Sequence, residues 1–299
     1  MALSKSESKA LPLRQGDQVI AVAPSSALSE TKQLSEGLLV LESWGLVCMP
    51  HKLVERRWGY LAGDDDSRWE DLHPPKPVPL MACARGGWGA SRLLERGIQW
   101  KSGWLLGFSD VTALLWARLA AGIDGGIHGP LLTTLAAEPE WSQSRLRGLL
   151  FGEDIPALEG EIWQGGLAVG QLVVANLTVA SHLIGSKYIP DLSGAILILE
   201  DVGEAPYRID RMLTQWRLAG LLQQIAGLGF GSFKDCQPSN HVEAGHTFQL
   251  EEVLKERSSD LPIPVLGHLP VGHLCGNAAL PLGRKACLDG NSGLLSLLI

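Results

Sequence analysis

"GWLLGFSDVTALLWARL", residues 103–119, decides how the first half of the chain reads: a solid apolar run enters Gly-Phe-Ser-Asp and leaves it as an amphipathic helix. Working outward, the same alternation recurs. "DQVIAVAPSS" (17–26) is a Val/Ile/Ala strand ending in Pro-Ser-Ser, and the helix after it spaces Leu34, Leu38, Leu41 and Trp44 at helical intervals before stopping at Gly45. "LVCMPHKLV" (46–54) reads as the next strand, and "DDDSRWEDLHPP" (64–75) as a short acidic helix halted by Pro74. "PLMACARGGWG" (79–89) is a strand entering a glycine turn, and "ASRLLERG" (90–97) resumes a helix. Strand and helix alternate through "GGIHGP" (125–130), which predicts a mainly parallel sheet with helices on both faces. Ligands in such sheets bind beyond the strand C-termini, where both "ARGGWGA" and "GFSD" fall.

From Glu138 to Gly166 the periodicity weakens and Pro, Gly, Glu and Trp accumulate, as in a connector. The expected division is therefore an N-terminal domain at 1–140, a linker at 141–165 and a smaller C-terminal β/α domain at 166–299. The second part holds the buried strand "GAILILEDVGE" (194–204), a helix at 207–222, the glycine-bearing strand "IAGLGFGSF" (225–233), an acidic helix near 248–259 and short strands at 263–270 and 285–289.

The chain has 299 residues, 45% hydrophobic and 19% charged, with a net charge of −7. Its Lys and Arg residues are dispersed, so neither nucleic acid nor an anionic membrane is an expected partner; a small soluble ligand is. Five widely spaced cysteines suit reduced core thiols and hence the cytoplasm. The N-terminus has no apolar signal core, and no run of about 18 apolar residues follows.

Ser109 has two readings from position alone. It is either the N-cap of the following helix, with Asp110 favouring the positive end of the dipole, or a nucleophile beside N–H groups that hold an oxyanion. The Gly-x-Ser-x-Gly elbow is not matched, because Val111 stands at its second glycine. "ARGGWGA" lacks the features of a nucleotide loop. Glu200 ends a buried strand, where a carboxylate needs a partner; an ion-pair cluster with Arg208 or Arg211 is one solution and a cleft is another. The pairs His241/His246 and His268/His273 are each five apart, which does not fit a zinc helix, and no Cys-x-x-Cys exists, so no metal and no cofactor are expected. Residue chemistry does not choose between His268 and His273.

Eight segments taken in order resemble the LD-carboxypeptidase family of serine peptidases, which includes murein tetrapeptide carboxypeptidases and microcin C immunity peptidases. They are "VIAVAPSS", "YLAGDDDSRWEDL", "ARGGWGASRLL", "GFSDVTALL", "IHGPLLTTL", "ILILEDVGEAPYRIDRMLTQ", "GSF" and "VGHLCGNAALPLG". The resemblance implies a doubly wound first domain of flavodoxin-like or class I amidotransferase-like kind. It also implies Ser109 as nucleophile, Glu200 as the acid, and His273 rather than His268 as the base, because His273 sits in Gly-His before a Leu-Pro-x-Gly stretch. The backbone N–H of Asp110, with one from Gly86 or Gly87, would form the oxyanion hole.

Arg85, Trp88 and Asn176 are the candidate substrate-binding residues, Arg85 for a terminal carboxylate. The chain departs from the family pattern at Val174-Ala175-Asn176, where Gly-Gly-Asn is usual, at Gly185-Ser186 and at Trp88. The implied reaction is release of C-terminal D-alanine from a muropeptide during wall recycling, through an acyl-enzyme at a domain interface, in a homodimer. The alternatives are cleavage of a peptidyl-nucleotide amide and ligand binding without catalysis.

Overall fold

The computed structural model describes residues 10–238 and 246–298. The chain forms two compact units. The first comprises Met1–Ile155, Gly185–Pro190 and Cys275–Gly283, and the second Pro156–Ile184, Asp191–Leu274 and Arg284–Ile299.

In the first unit the strands are β1 (Gln18–Val22), β2 (Val47–Cys48), β3 (Leu80–Cys83), β4 (Trp104–Gly107) and β5 (Gly126–His128), and a returning strand β12 (Leu280–Pro281) completes the sheet. The spatial order β2-β1-β3-β4-β5-β12 has five parallel strands and an antiparallel edge made by β12. That is the flavodoxin-like order, with its switch point between β1 and β3, where turns diverge and leave a crevice at the strand ends. Strands β3, β4 and β5 are buried throughout, which is why β3 and β4 are continuously apolar rather than alternating.

Helix α1 (Thr31–Ser43) lays Leu34, Gly37 and Leu41 inward, and Gly37 lies against the backbone of Leu132, where helix α4 (Leu132–Leu135) crosses. Helix α2 (Asp65–Asp71) begins at Asp64, whose carboxylate accepts the Ser67 N–H at 2.8 Å, the expected N-cap chemistry. Helix α3 (Thr112–Ala120) is buried on nearly every face.

The expected linker at 141–165 is corrected. Helix α5 (Glu140–Phe151) occupies its first part and places Leu146 and Leu150 in the core of the first unit, while the rest enters the sheet of the second unit. The Trp, Arg and Gly residues interleaved with those leucines dilute the helical period, so composition suggested a connector. The assignment of all of 166–299 to one domain is corrected as well. Residues 275–283 return to the first unit, pinned by the Glu138 carboxylate, which accepts the N–H groups of Gly276 (2.7 Å) and Asn277 (3.0 Å). Residues 90–96 wind as a 3₁₀ turn rather than an α-helix.

The second unit is an eight-stranded sheet in the order β6-β14-β13-β8-β9-β10-β11-β7. Its strands are β6 (Leu158–Glu159), β7 (Glu161–Gln164), β8 (Leu167–Asn176), β9 (Ile196–Val202), β10 (Gly227–Lys234), β11 (Val265–Gly267), β13 (Lys285–Asp289) and β14 (Leu294–Leu297). Its centre, β8-β9-β10-β11, is parallel. Helices α6 (Leu177–His182), α7 (Pro206–Leu218) and α8 (Leu250–Ser258) belong to this unit; α7 starts with Pro206 in its first turn and buries Ile209, Leu213 and Trp216.

Candidate active site

Strand β4 ends at Gly107, and the chain turns at Ser109 with φ of +62°, a left-handed conformation that costs an L-residue about 1–2 kcal/mol. Ser109 is not the N-cap of α3; Val111 holds that position, and Ser109 opens a short 3₁₀ turn before it. A strained serine between a buried strand and a helix is how a nucleophile elbow presents its hydroxyl.

The glycine turn after β3 lies against that serine. A Cβ on Gly86 would come within 3.0 Å of Ser109 Cβ and 3.2 Å of Ser109 Oγ, so only a glycine lets this backbone approach the hydroxyl so closely. Gly87 (φ +103°) abuts the Ser26 hydroxyl in the same way. Ser26 ties the turn down further: its N–H donates to Gly86 O at 3.3 Å, and its Oγ accepts the Trp88 N–H at 3.0 Å.

Asp110 is buried, and burial pushes its carboxyl above the usual range while Ser25 and the N–H groups of Ala90 and Gly89 pull it back. Arg85 forms an ion pair with Glu30 at 2.9 Å and also donates to Ala27 O at 3.2 Å, all through Nη1. Trp88 is half exposed.

In the second unit, Glu200 on β9 is fully buried, and its Oε2 lies 2.6 Å from His273 Nδ1. Burial raises the Glu200 pKa; the His273 ring and the Asn176 amide favour its ionised form. Of the acidic residues weighed for a cluster with Arg208 or Arg211, Glu204 pairs with Arg208 at 3.3 Å, whereas Glu200 faces His273 and Arg211 lies over the Tyr207 ring. Gly272 (φ +106°) makes the acid–base contact possible, since a Cβ there would stand 2.5 Å from Glu200 Oε2. His268, the other loop histidine, is exposed and lies 3.3 Å from both Glu161 and Glu251.

Asn176, expected against substrate, is instead buried, with its amide engaged inside the fold. Its Oδ1 caps α6 by accepting the Val179 N–H at 3.0 Å, and its Nδ2 donates to Asp201 at 3.0 Å. Asp201 also accepts from the Thr178 N–H (2.9 Å) and hydroxyl (2.8 Å).

Sequence reasoning missed Ser25, Ser26, Arg68 and Gly272. The Pro-Ser-Ser after the first strand was the available signal for the first two, because it lies at the switch point. Among the described residues no group of three His, Cys, Asp or Glu side chains is placed to hold a metal ion; His241 lies outside the described residues. All five cysteines are free thiols, but only Cys83 and Cys236 are buried as core thiols would be; Cys48 and Cys287 are partly buried and Cys275 is exposed. Among the described residues no helix is long and apolar enough to cross a membrane.

A hydroxyl on a strained turn beside closely approached backbone, and an imidazole oriented by a buried carboxylate, are the parts needed for acyl transfer. Residues 19–129 match the LD-carboxypeptidase N-terminal domain, and residues 169–288 match the LD-carboxypeptidase C-terminal domain. A putative carboxypeptidase of Synechocystis sp. is 46% identical over 99% of both chains. The murein tetrapeptide carboxypeptidase of Pseudomonas aeruginosa is 35% identical over 92% of this chain and 94% of its own. Among solved structures, the muramoyltetrapeptide carboxypeptidase from Oxalobacter formigenes superposes with a TM-score of 0.82 at 26% identity, covering 94% of this chain and 97% of the other.

Proposed function

Because this chain belongs to the LD-carboxypeptidase family of serine-type peptidases, we propose that it removes the C-terminal D-alanine of murein tetrapeptides with Ser109, His273 and Glu200 acting as one triad. The observation that carries the reading is the 2.6 Å contact between buried Glu200 and His273 Nδ1. A carboxylate in that position fixes the tautomer that leaves Nε2 as the general base and stabilises the imidazolium formed during attack.

In this mechanism His273 takes the proton of Ser109 Oγ as the oxygen adds to the amide carbonyl. The developing oxyanion is held by the backbone N–H of Asp110 and by one from the Gly86–Gly87 turn, each donor contributing about 3 kcal/mol. Collapse expels the D-alanine amine, which receives the proton from His273, and leaves the acyl group on Ser109. Water activated by the same imidazole then attacks the ester, returning Ser109 and releasing the tripeptide acid. The contacts of Arg85 all run through Nη1, and the remainder of its guanidinium is the cation we assign to the substrate's terminal carboxylate. Trp88, half exposed in the same turn, is the aromatic side chain we assign to the flank of the substrate.

Purified protein incubated with a murein tetrapeptide ending in D-alanine should yield the tripeptide and free alanine by mass spectrometry. Intact tetrapeptide, with a peptidyl-nucleotide amide cleaved in its place, would reassign the substrate. Cleavage of neither would remove the catalytic reading.

A further inference from the structure

We propose that the side chain of Asp110 is the positioning residue of the oxyanion hole, clamping the glycine turn against the nucleophile through a carboxylate that never meets substrate. The inference rests on the reading of Ser109 as nucleophile and deepens it.

One oxygen does most of this. Asp110 Oδ2 accepts the Ser25 hydroxyl at 2.7 Å and the Ala90 N–H at 2.8 Å. Ser25 follows β1, Ala90 follows the glycine turn after β3, and Asp110 follows β4, so a single atom ties together the exits of three adjacent strands at the switch point. Ser25 is fully buried and Asp110 is 3% exposed, which keeps water from substituting for either partner.

The far side of the turn is held by a second set of bonds. Arg68 on α2, also fully buried, donates to Pro24 O and to Gly89 O (2.9 Å) and is paired with Asp65. Gly86 is thereby fixed between its contact with Ser109 and an anchor at Ala90, four residues on. Asp110 contributes twice: its N–H is a proposed oxyanion donor, and its carboxylate sets the distance to the other donor. Such a clamp matters because displacing a catalytic group by about 1 Å costs roughly 10²-fold in rate.

Asp110→Asn is the informative variant, since it keeps the shape but offers one acceptor oxygen and an amide N–H where the carboxylate met only donors. The expected result is a fall of about 30–100-fold in kcat for the tetrapeptide with KM within about threefold. The tetrapeptide Kd should also be unchanged when Asp110→Asn is added to Ser109→Ala. Ser25→Ala removes one donor and should lower kcat by about 5–10-fold, and combining it with Asp110→Asn should cost no more than Asp110→Asn alone, because both act through one oxygen.

Labelling of Ser109 by a fluorophosphonate, whose phosphonyl oxygen uses the same N–H groups, should slow in parallel. That readout separates two failures: a parent that labels but leaves the tetrapeptide intact refutes the substrate while the labelling rates still judge the clamp. A parent that does neither overturns both. A folded Asp110→Asn that labels and turns over within about twofold of the parent, or one whose loss lies wholly in KM, overturns the clamp. Should Asp110→Asn fail to fold, Ser25→Ala decides, and an unchanged kcat there overturns it equally.

Discussion

Gly272 is where one methyl group tests the acid–base pair. A Cβ at this position would stand 2.5 Å from Glu200 Oε2, 2.6 Å from Glu200 Cβ and 2.7 Å from Glu200 Cγ, and φ is +106°. Gly272→Ala therefore incurs two costs. Left-handed backbone penalises an L-residue by about 1–2 kcal/mol, and overpacking a filled interior adds about 1–3 kcal/mol. Glu200 has no solvent to retreat into, being 0% exposed. Together these give about 2–5 kcal/mol, or a fall in Tm of roughly 5–15 °C for units of this size.

The catalytic loss should exceed the stability loss. The carboxylate must move away from the added methyl group and thus off His273 Nδ1, and an imidazole without its orienting acid loses up to about 10⁴-fold in kcat. Tryptophan-fluorescence melts and mass-spectrometric alanine release, run well below the variant's transition, measure the two effects separately. A Gly272→Ala protein melting within about 1 °C of the parent and turning over within about twofold would refute the steric argument and the role given to the pair.

Gly86→Ala has ordinary backbone φ, and its Cβ would meet Ser109 at 3.0–3.2 Å, so it should leave Tm nearly unchanged while lowering kcat by about 10-fold or more, read in the same two assays. Glu200→Gln separates stability from function. Because burial raises the Glu200 pKa, the native state binds its proton more tightly than the unfolded chain, and stability falls as pH rises from the usual carboxylate value through the raised one. Melts across that interval should show Glu200→Gln gaining relative to the parent with rising pH, although its turnover is lost; a constant difference in Tm would contradict the sign. Arg85→Gln should raise the KM for the tetrapeptide by about 10–100-fold, the worth of a charge-assisted hydrogen bond, and leave kcat within about threefold; an unchanged KM removes the carboxylate assignment.

The first sheet was legible because each strand is short, apolar and followed by a helix whose face repeats at Leu34, Leu38 and Leu41 or at its equivalents. Five parallel strands with a switch point follow from that alternation. The edge strand at Leu280–Pro281 was not legible, since two residues carry no period and their pairing with Ile127 and His128 is long-range. Helix α5 was hidden by Trp141, Arg145, Arg147 and Gly148 among its leucines. At the site, Ser109 was visible as a residue between strand and helix, but its positive φ was not. The choice of His273 over His268 came from family resemblance, because a contact to Glu200 across 73 residues leaves no local pattern. Asn176 looked like a substrate ligand in sequence and is a buried cap, a distinction that only burial and partners reveal.

The central claim is that Ser109 and His273 perform one step together, and a double-mutant cycle on tetrapeptide turnover tests it most directly. Groups acting as a unit are strongly non-additive, so Ser109→Ala, His273→Ala and the double variant should share one residual rate, about 10⁴–10⁶-fold below the parent. A His273→Ala protein at near-parental rate, or losses that multiply in the double variant, would contradict it.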